Sequence, residues 1–348
     1  MKRWTIAAAI AAGLMAFPAA ASANSCGGDS APKLFDSQGY YFDFTDGGTT
    51  ADQNNPFATF DDSGSNGPTD TPPGPDSTTD SYDSFGALFV GGTDNAHLYF
   101  SADNNACSDP APGEHDYPVV PMSGLNVQRK IFVGPSGPLP GARILNLLSN
   151  PTTAPITTTV QVGDLTSGDN DGDLGSDNDT AVRASSSGDA VLTAADYWAV
   201  TNDDPTSTSD NTLAHIADGH GVVKTNLFQL GPGTASQPED NLIWGWTVTV
   251  PAHRTVGLMS FEVQQTDATK DSPTDVASAA AVANGYETAP GTTIYQGMTP
   301  AESATVANWP QPPVKCKKHK KKHGKKSAAS AKKHKKSKCK KHKKKHKK

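Results

Sequence analysis

Short runs rich in Val, Ile, Thr and aromatic residues recur through this chain. Each is cut off by a cluster of Gly, Pro, Asn or Asp, and no helical pattern separates one from the next. The clearest lie at 126–133, 142–148, 156–162, 180–184, 197–201, 222–230, 242–250 and 256–265. Parallel strands need long crossovers, usually helices, so successive strands joined by bare loops must pair antiparallel. The expected fold is mainly β: a large antiparallel β-sandwich over 24–265. In 242–250, Trp244, Trp246, Val248 and Val250 fall on one face. Weaker strand-like runs stand at 39–44, 56–60, 85–90 and 97–100. Two stretches read as loops: 61–83, dense in Ser, Thr, Pro, Gly and Asp and expected to be mobile, and the Pro-rich 107–121.

Helical signal comes late, in a short segment at 266–309. Ser272-Pro273-Thr274-Asp275 resembles a capped start, followed by 276–283 and a stop at Asn284-Gly285. Thr299-Pro300-Ala301-Glu302 is a capping box for a second short helix reaching 308.

The net charge of −6 conceals a segregation. Of 30 basic residues, Lys2 and Arg3 precede position 24 and 20 lysines lie in 315–348, a stretch without acids. The intervening 24–314 keeps eight bases against all 36 acids, a formal −28 beside a tail of +20. A body so acidic repels polyanions, so specific nucleic-acid recognition is not expected of it. Asp outnumbers Glu 31 to five, which suits a loop-rich β protein and supplies hard oxygen ligands. Like-charge repulsion predicts a disordered tail after the Pro-rich spacer at 310–313.

Met1-Lys2-Arg3, an apolar run from Ile6 to Phe17 and the small-x-small triplet Ala21-Ser22-Ala23 read as a signal peptide over 1–23. The apolar run is short for a bilayer span, and no other run is apolar enough. The mature chain is therefore expected outside the cytoplasm, without a transmembrane span. Export permits disulfides. Cys26 with Cys107 and Cys316 with Cys339 is the simplest pairing, though four cysteines allow three.

The stretches 126–133 and 142–151, with Leu174-Gly175-Ser176-Asp177, Ser187-Gly188-Asp189 and 196–204, resemble a β-rich module of secreted and surface bacterial proteins. Met298-Thr299-Pro300-Ala301-Glu302 with Asn308-Trp309 resembles the short helical segment that follows it. The resemblance covers 85–309. It implies β-sandwich architecture and an extracellular setting, and no activity or functional residues. The Lys/His tail resembles low-complexity C-termini of other exported bacterial proteins in composition alone.

Three constellations could carry chemistry. Asp169, Asp171 and Asp173 have the alternating spacing of a calcium loop, with Asp177 beyond. Leu174 and Thr180 occupy the positions where an EF-hand needs Gly and Glu, so only a non-EF Ca²⁺ site or a solvated acidic loop remains. Trp244 and Trp246 could form a flat glycan platform, or belong to the sandwich core. His215, Asp218 and His220 could ligate a metal, but match no zinc spacing and read as loop residues. No nucleophile elbow, zinc-protease helix, phosphate loop or dinucleotide fingerprint occurs. No cofactor other than Ca²⁺ is implied.

The expected function is that of a secreted, non-enzymatic cell-envelope or matrix protein, retained on anionic polymers or glycans by 315–348. A secreted glycan-binding module and a polysaccharide hydrolase or lyase are the alternatives.

Overall fold

The computed structural model describes residues 23–24, 34–42, 82, 85–99, 107–163, 180–202, 212–231, 242–265, 273–289 and 291–311. The leader before Ala23, the run at 56–60, most of the loop at 61–83, the acidic run 164–179 and the tail from 312 lie outside them. The chain divides into two units between Pro313 and Val314.

The described strands are β1 (Ala23–Asn24), β2 (Leu34–Phe35), β3 (Tyr41–Phe42), β4 (Leu88–Val90), β5 (Cys107–Ala111), β6 (Glu114–Asp116), β7 (Val120–Met122) and β8 (Leu125–Val133). There follow β9 (Ala142–Ser149), β10 (Ile156–Val162), β11 (Ala181–Ser185), β12 (Trp198–Asn202), β13 (Thr212–Ile216), β14 (Thr225–Leu230), β15 (Leu242–Val250) and β16 (Thr255–Gln265). The helices are α1 (Pro273–Thr288), α2 (Gly291–Ile294) and α3 (Pro300–Ser303).

The fold is mainly β. A large sheet runs β1-β5-β6-β8-β9-β16-β13-β12-β11, with β7 also on β8, and faces a four-stranded sheet, β14-β15-β10-β4. All ladders between these strands are antiparallel. Between the sheets lie Val127, Ile131, Ile144 and Leu148 from one side and Val160, Trp244, Trp246 and Val248 from the other. The small sheet turns Thr247 and Thr249 to solvent, the pattern of a sheet buried on one face.

The large sheet is covered on both faces. Its outer row of Trp198, Val200, Ala214, Ile216, Met259, Phe261 and Val263 packs with Ala279, Ala283 and Tyr286 of α1. After α3 the chain returns to the sheet: Val306 bridges Gly257 in parallel, and Thr305 O and Ala307 N bond the backbone of Gly257 at 2.9 Å each.

Several local expectations are corrected. The Pro-rich 107–121 contains β5, β6 and β7 rather than a loop. Gly113 makes the turn between β5 and β6 at φ 79°, where a Cβ would sit 2.3 Å from Val133 O. Pro121 is tolerated because β7 pairs only with β8. Of the run at 97–100, His97 closes a 3₁₀ turn, Asn95–His97, capped by Asp94, Leu98 makes an isolated antiparallel bridge to Phe89, and residue 100 lies outside the described residues. α1 continues through Asn284-Gly285 because Tyr286 is buried against Phe261, ring centroids 4.3 Å apart, and its hydroxyl donates to Pro140 O. The Thr299 capping box forms, but α3 is a single turn. α2 was not foreseen.

Candidate functional site

The strand β13 was not expected either, and it carries His215. Its neighbours β12 and β16 set Ala199, His215 and Glu262 in one row across three strands. Thr201 stands two residues beyond Ala199, hence on the same face. His215 Nδ1 lies 2.6 Å from Glu262 Oε2, and its Nε2 lies 2.8 Å from Thr201 Oγ1. The consistent assignment has Nδ1–H donating to the carboxylate and the Thr201 hydroxyl donating to Nε2. Tyr82 OH donates to Glu262 Oε2 at 3.5 Å. Phe85 covers the group, 5.5 Å from the His215 ring and 5.8 Å from Trp244.

The row itself runs on into Ala142 and Val133, and the next polar side chains stand further along the inner face: Ser260 two residues before Glu262 on β16, and Asn146 and Arg129 side by side on β9 and β8 opposite Leu258. Arg129 Nε donates to Asn146 Oδ1 at 2.9 Å and its Nη1 to Gly86 O at 2.6 Å. Tyr99 OH donates to Pro118 O at 2.5 Å and accepts from Arg129 N at 3.3 Å. Burial pulls the Arg129 guanidinium down to about 10, so it stays charged at neutral pH. Burial pushes the Glu262 carboxyl up, against the pull of His215. A polar seam thus crosses five strands between the sheets. Ser260 Oγ, Glu262 Oε1, Asn146 Nδ2 and the indole nitrogens of Trp244 and Trp246 have no hydrogen-bond partner among the described residues.

A hydroxyl, an imidazole and a carboxylate in this order have the geometry of nucleophile, base and orienting acid. Exposure sets what they do here: Thr201 is 1% exposed, and His215 and Glu262 are 0%. In this conformation no polymer reaches the hydroxyl, and the triple ties three strands together.

The other candidate residues are dispersed. Trp244 and Trp246 are 0% and 1% exposed, so the glycan-platform expectation is corrected: their flat faces are core. Val248 and Val250 on the same face had signalled as much. His215, Asp218 and His220 are not together. Asp218 is buried, accepting from Thr225 N at 2.9 Å with Lys224 Nζ at 3.8 Å. His220 is exposed and pairs with Glu287 at 2.7 Å. The three therefore form no metal site, and no group of three or more metal-ligating side chains occurs among the described residues. Asp169, Asp171, Asp173 and Asp177 lie outside the described residues, as do Cys26, Cys316 and Cys339. Cys107 is buried and disulfide-bonded. The ladder sets Asn24 opposite Cys107, two residues from Cys26.

Thr201, Glu262 and Tyr82 were not singled out from the sequence. The signal was present in β16, where Ser260, Glu262 and Gln264 alternate with Met259, Phe261 and Val263. Such alternation is ordinarily read as one wet face. Comparison with family models and with curated proteins finds no match to the chain.

Proposed function

We propose that the chain is an exported, non-enzymatic β-sandwich held on anionic polymers of the cell envelope or extracellular matrix by residues 315–348. The observation that carries this reading is the charge segregation, +20 on the tail against −28 on the body. Each lysine near an anionic surface contributes about 1 kcal/mol, and a few suffice for retention. The Pro-rich spacer at 310–313 favours an outside partner over its own body. No described helix is long and apolar enough to cross a membrane.

The test is binding of the mature protein, with and without 315–348, to isolated envelopes across a salt series. Only the full chain should bind. Neutralising roughly six to ten phosphates costs on the order of a thousandfold in affinity between about 50 and 200 mM salt, so release should be steep. Equal binding by the truncated body would overturn the tether.

A second reading, a polysaccharide hydrolase or lyase, rests on the order of Thr201, His215 and Glu262, and their burial in this conformation weighs against it. It predicts turnover of envelope glycans by the body that Thr201→Val abolishes. No turnover, or turnover unaffected by that change, rejects it.

A further inference from the structure

One peptide bond near the edge of the large sheet is set apart from its neighbours. Between Ser108, opposite Asp116, and Ala111, opposite Glu114, the register of β5 against β6 shifts. Asp109 and Pro110 therefore stand together against a single residue, His115, as in a β-bulge. A proline is tolerated there because it has no N–H to give the ladder. That accounts for Pro110 and leaves the two side chains beside it to be explained.

His115 is 1% exposed, and its Nδ1 lies 2.7 Å from Asp109 Oδ1. The Tyr117 ring stands edge-on to the imidazole, centroids 4.7 Å apart. The imidazole is thus fixed beside the Asp109–Pro110 bond, bound to an acid whose side chain is 31% exposed. Pro110 is exposed, so water has access from that side.

An Asp–Pro bond is one that its own side chain can break. A carboxylate oxygen closes a five-membered ring on the Asp carbonyl carbon. The nitrogen that leaves belongs to a tertiary amide, which takes up a proton more readily than a secondary one. A bare dipeptide lacks a proton donor held in place, and here His115 is one.

We propose that the chain cuts itself once, between Asp109 and Pro110, with Asp109 as nucleophile and His115 as acid. Asp109 Oδ2 attacks the carbonyl carbon of Asp109. The C–N bond breaks as the proton shared by His115 Nδ1 and Asp109 Oδ1 passes to the Pro110 nitrogen, leaving a cyclic anhydride. One water opens the anhydride to the two carboxyl groups of a C-terminal aspartate, and no other reactant is consumed. The pieces stay assembled. Phe42, Tyr82, Leu88 and Tyr99 on one side of the cut share a core with Val127, Val160 and Trp244 on the other, and β4 pairs with β10. The reaction uses neither the tail nor the Thr201–His215–Glu262 triple, so its test stands apart from theirs.

The experiment follows new N-termini by mass spectrometry in the purified full mature protein, reduced and denatured after timed incubation. A second Asp–Pro bond, Asp204–Pro205, is the internal reference. A fragment starting at Pro110 should accumulate at a first-order rate independent of protein concentration. It should appear at least about tenfold faster than one starting at Pro205, since a positioned acid contributes ~10²–10⁴-fold. In urea the two bonds should cleave alike. Hydroxylamine should trap the anhydride as an Asp109 hydroxamate. His115→Gln should bring the rate down to that at Pro205. Asp109→Asn, at the partly exposed end of the pair, should abolish the Pro110 fragment in a protein that still folds. No Pro110 fragment, or equal rates at the two bonds in the folded protein, overturns the proposal. So does a cut that survives either substitution unchanged. A rate that rises with protein concentration would assign the cut to a protease and overturn it as well.

Discussion

The two faces of the large sheet are both buried, yet only the inner one carries a connected seam of polar side chains among its apolar ones. The inner face, toward the second sheet, carries Arg129, Asn146, Ser260, Glu262, His215 and Thr201. The outer face, under α1, carries Trp198, Val200, Ile216, Met259, Phe261 and Val263. Apart from Ser260, the polar side chains find partners sideways, on the next strand, where neighbours on one face lie about 5 Å apart. The apolar ones need a covering element. α1 suits this because its buried positions include Ala279 and Ala283, which let its backbone approach the sheet closely. Burial in this fold is thus set by what covers a face and not by the polarity of its residues.

The largest expected effect would break the inner face. His215→Ala leaves Glu262 with Tyr82 at 3.5 Å and an oxygen already unpartnered. Removing one partner of a buried pair costs about 3–5 kcal/mol. Replacing the whole triple with His215→Leu, Glu262→Leu and Thr201→Val should recover most of that, because no uncompensated charge remains. Denaturant unfolding of the single and triple variants measures both. If the triple variant is no more stable than the single one, the triple contributes something that apolar packing cannot replace.

This contrast explains what could be read in advance. β10 and β15 are found at their expected bounds because their outward threonines and inward Val and Trp follow the usual phase. In β16 the phase is inverted. Its polar alternates face the second sheet, and a single strand cannot show that its apolar side is already occupied. β13 escaped because Thr212–Ile216 is short and contains a histidine, which looks like a loop residue until Glu262 lies opposite it. The stop at Asn284-Gly285 failed because tertiary burial of Tyr286 overrode the local pattern.

A middle-sized effect separates the faces. Asn308 is fully buried on the outer side, accepting from Met259 N at 2.9 Å and donating to Met259 O at 2.8 Å and Ala217 O at 3.1 Å. Asn308→Ala takes the partner from Met259 N and Ala217 O, while Met259 O keeps Trp309 Nε1 at 2.7 Å, and should cost about 2–3 kcal/mol. The loss should be local. The amides of Gly219, Gly221, Val222 and Val223, which donate to Asn308 O and Ala307 O, should exchange with solvent faster. Those of β13 and β16 at His215 and Glu262 should keep their protection. Equal acceleration at both places would show that the two faces open as one cooperative unit and that the distinction has no energetic meaning.

The smallest effect lies at the rim of the outer face, and its sign is opposite. Asp116 shares Lys130 with Glu114 and Glu302, and its Oδ1 has no partner among the described residues. Burial, with repulsion from Glu114, raises its carboxyl from 3.8 to about 6, against the attraction of Lys130. Between those values the folded state holds a proton that the unfolded chain has released. Stability contributed by this group therefore falls as pH rises from about 4 to 6. Above that window the carboxylate is buried charge in a cluster with too few cations. Asp116→Asn keeps the shape and removes the charge, so it should stabilise the fold at pH 7 by about 1–2 kcal/mol. The gain should shrink toward zero near pH 4, where the wild-type group is already neutral. Unfolding midpoints of the two proteins at pH 4 and pH 7 decide it. A variant less stable at pH 7 would mean that Lys130 needs all three carboxylates, and that this corner of the outer face is held by charge rather than merely tolerating it.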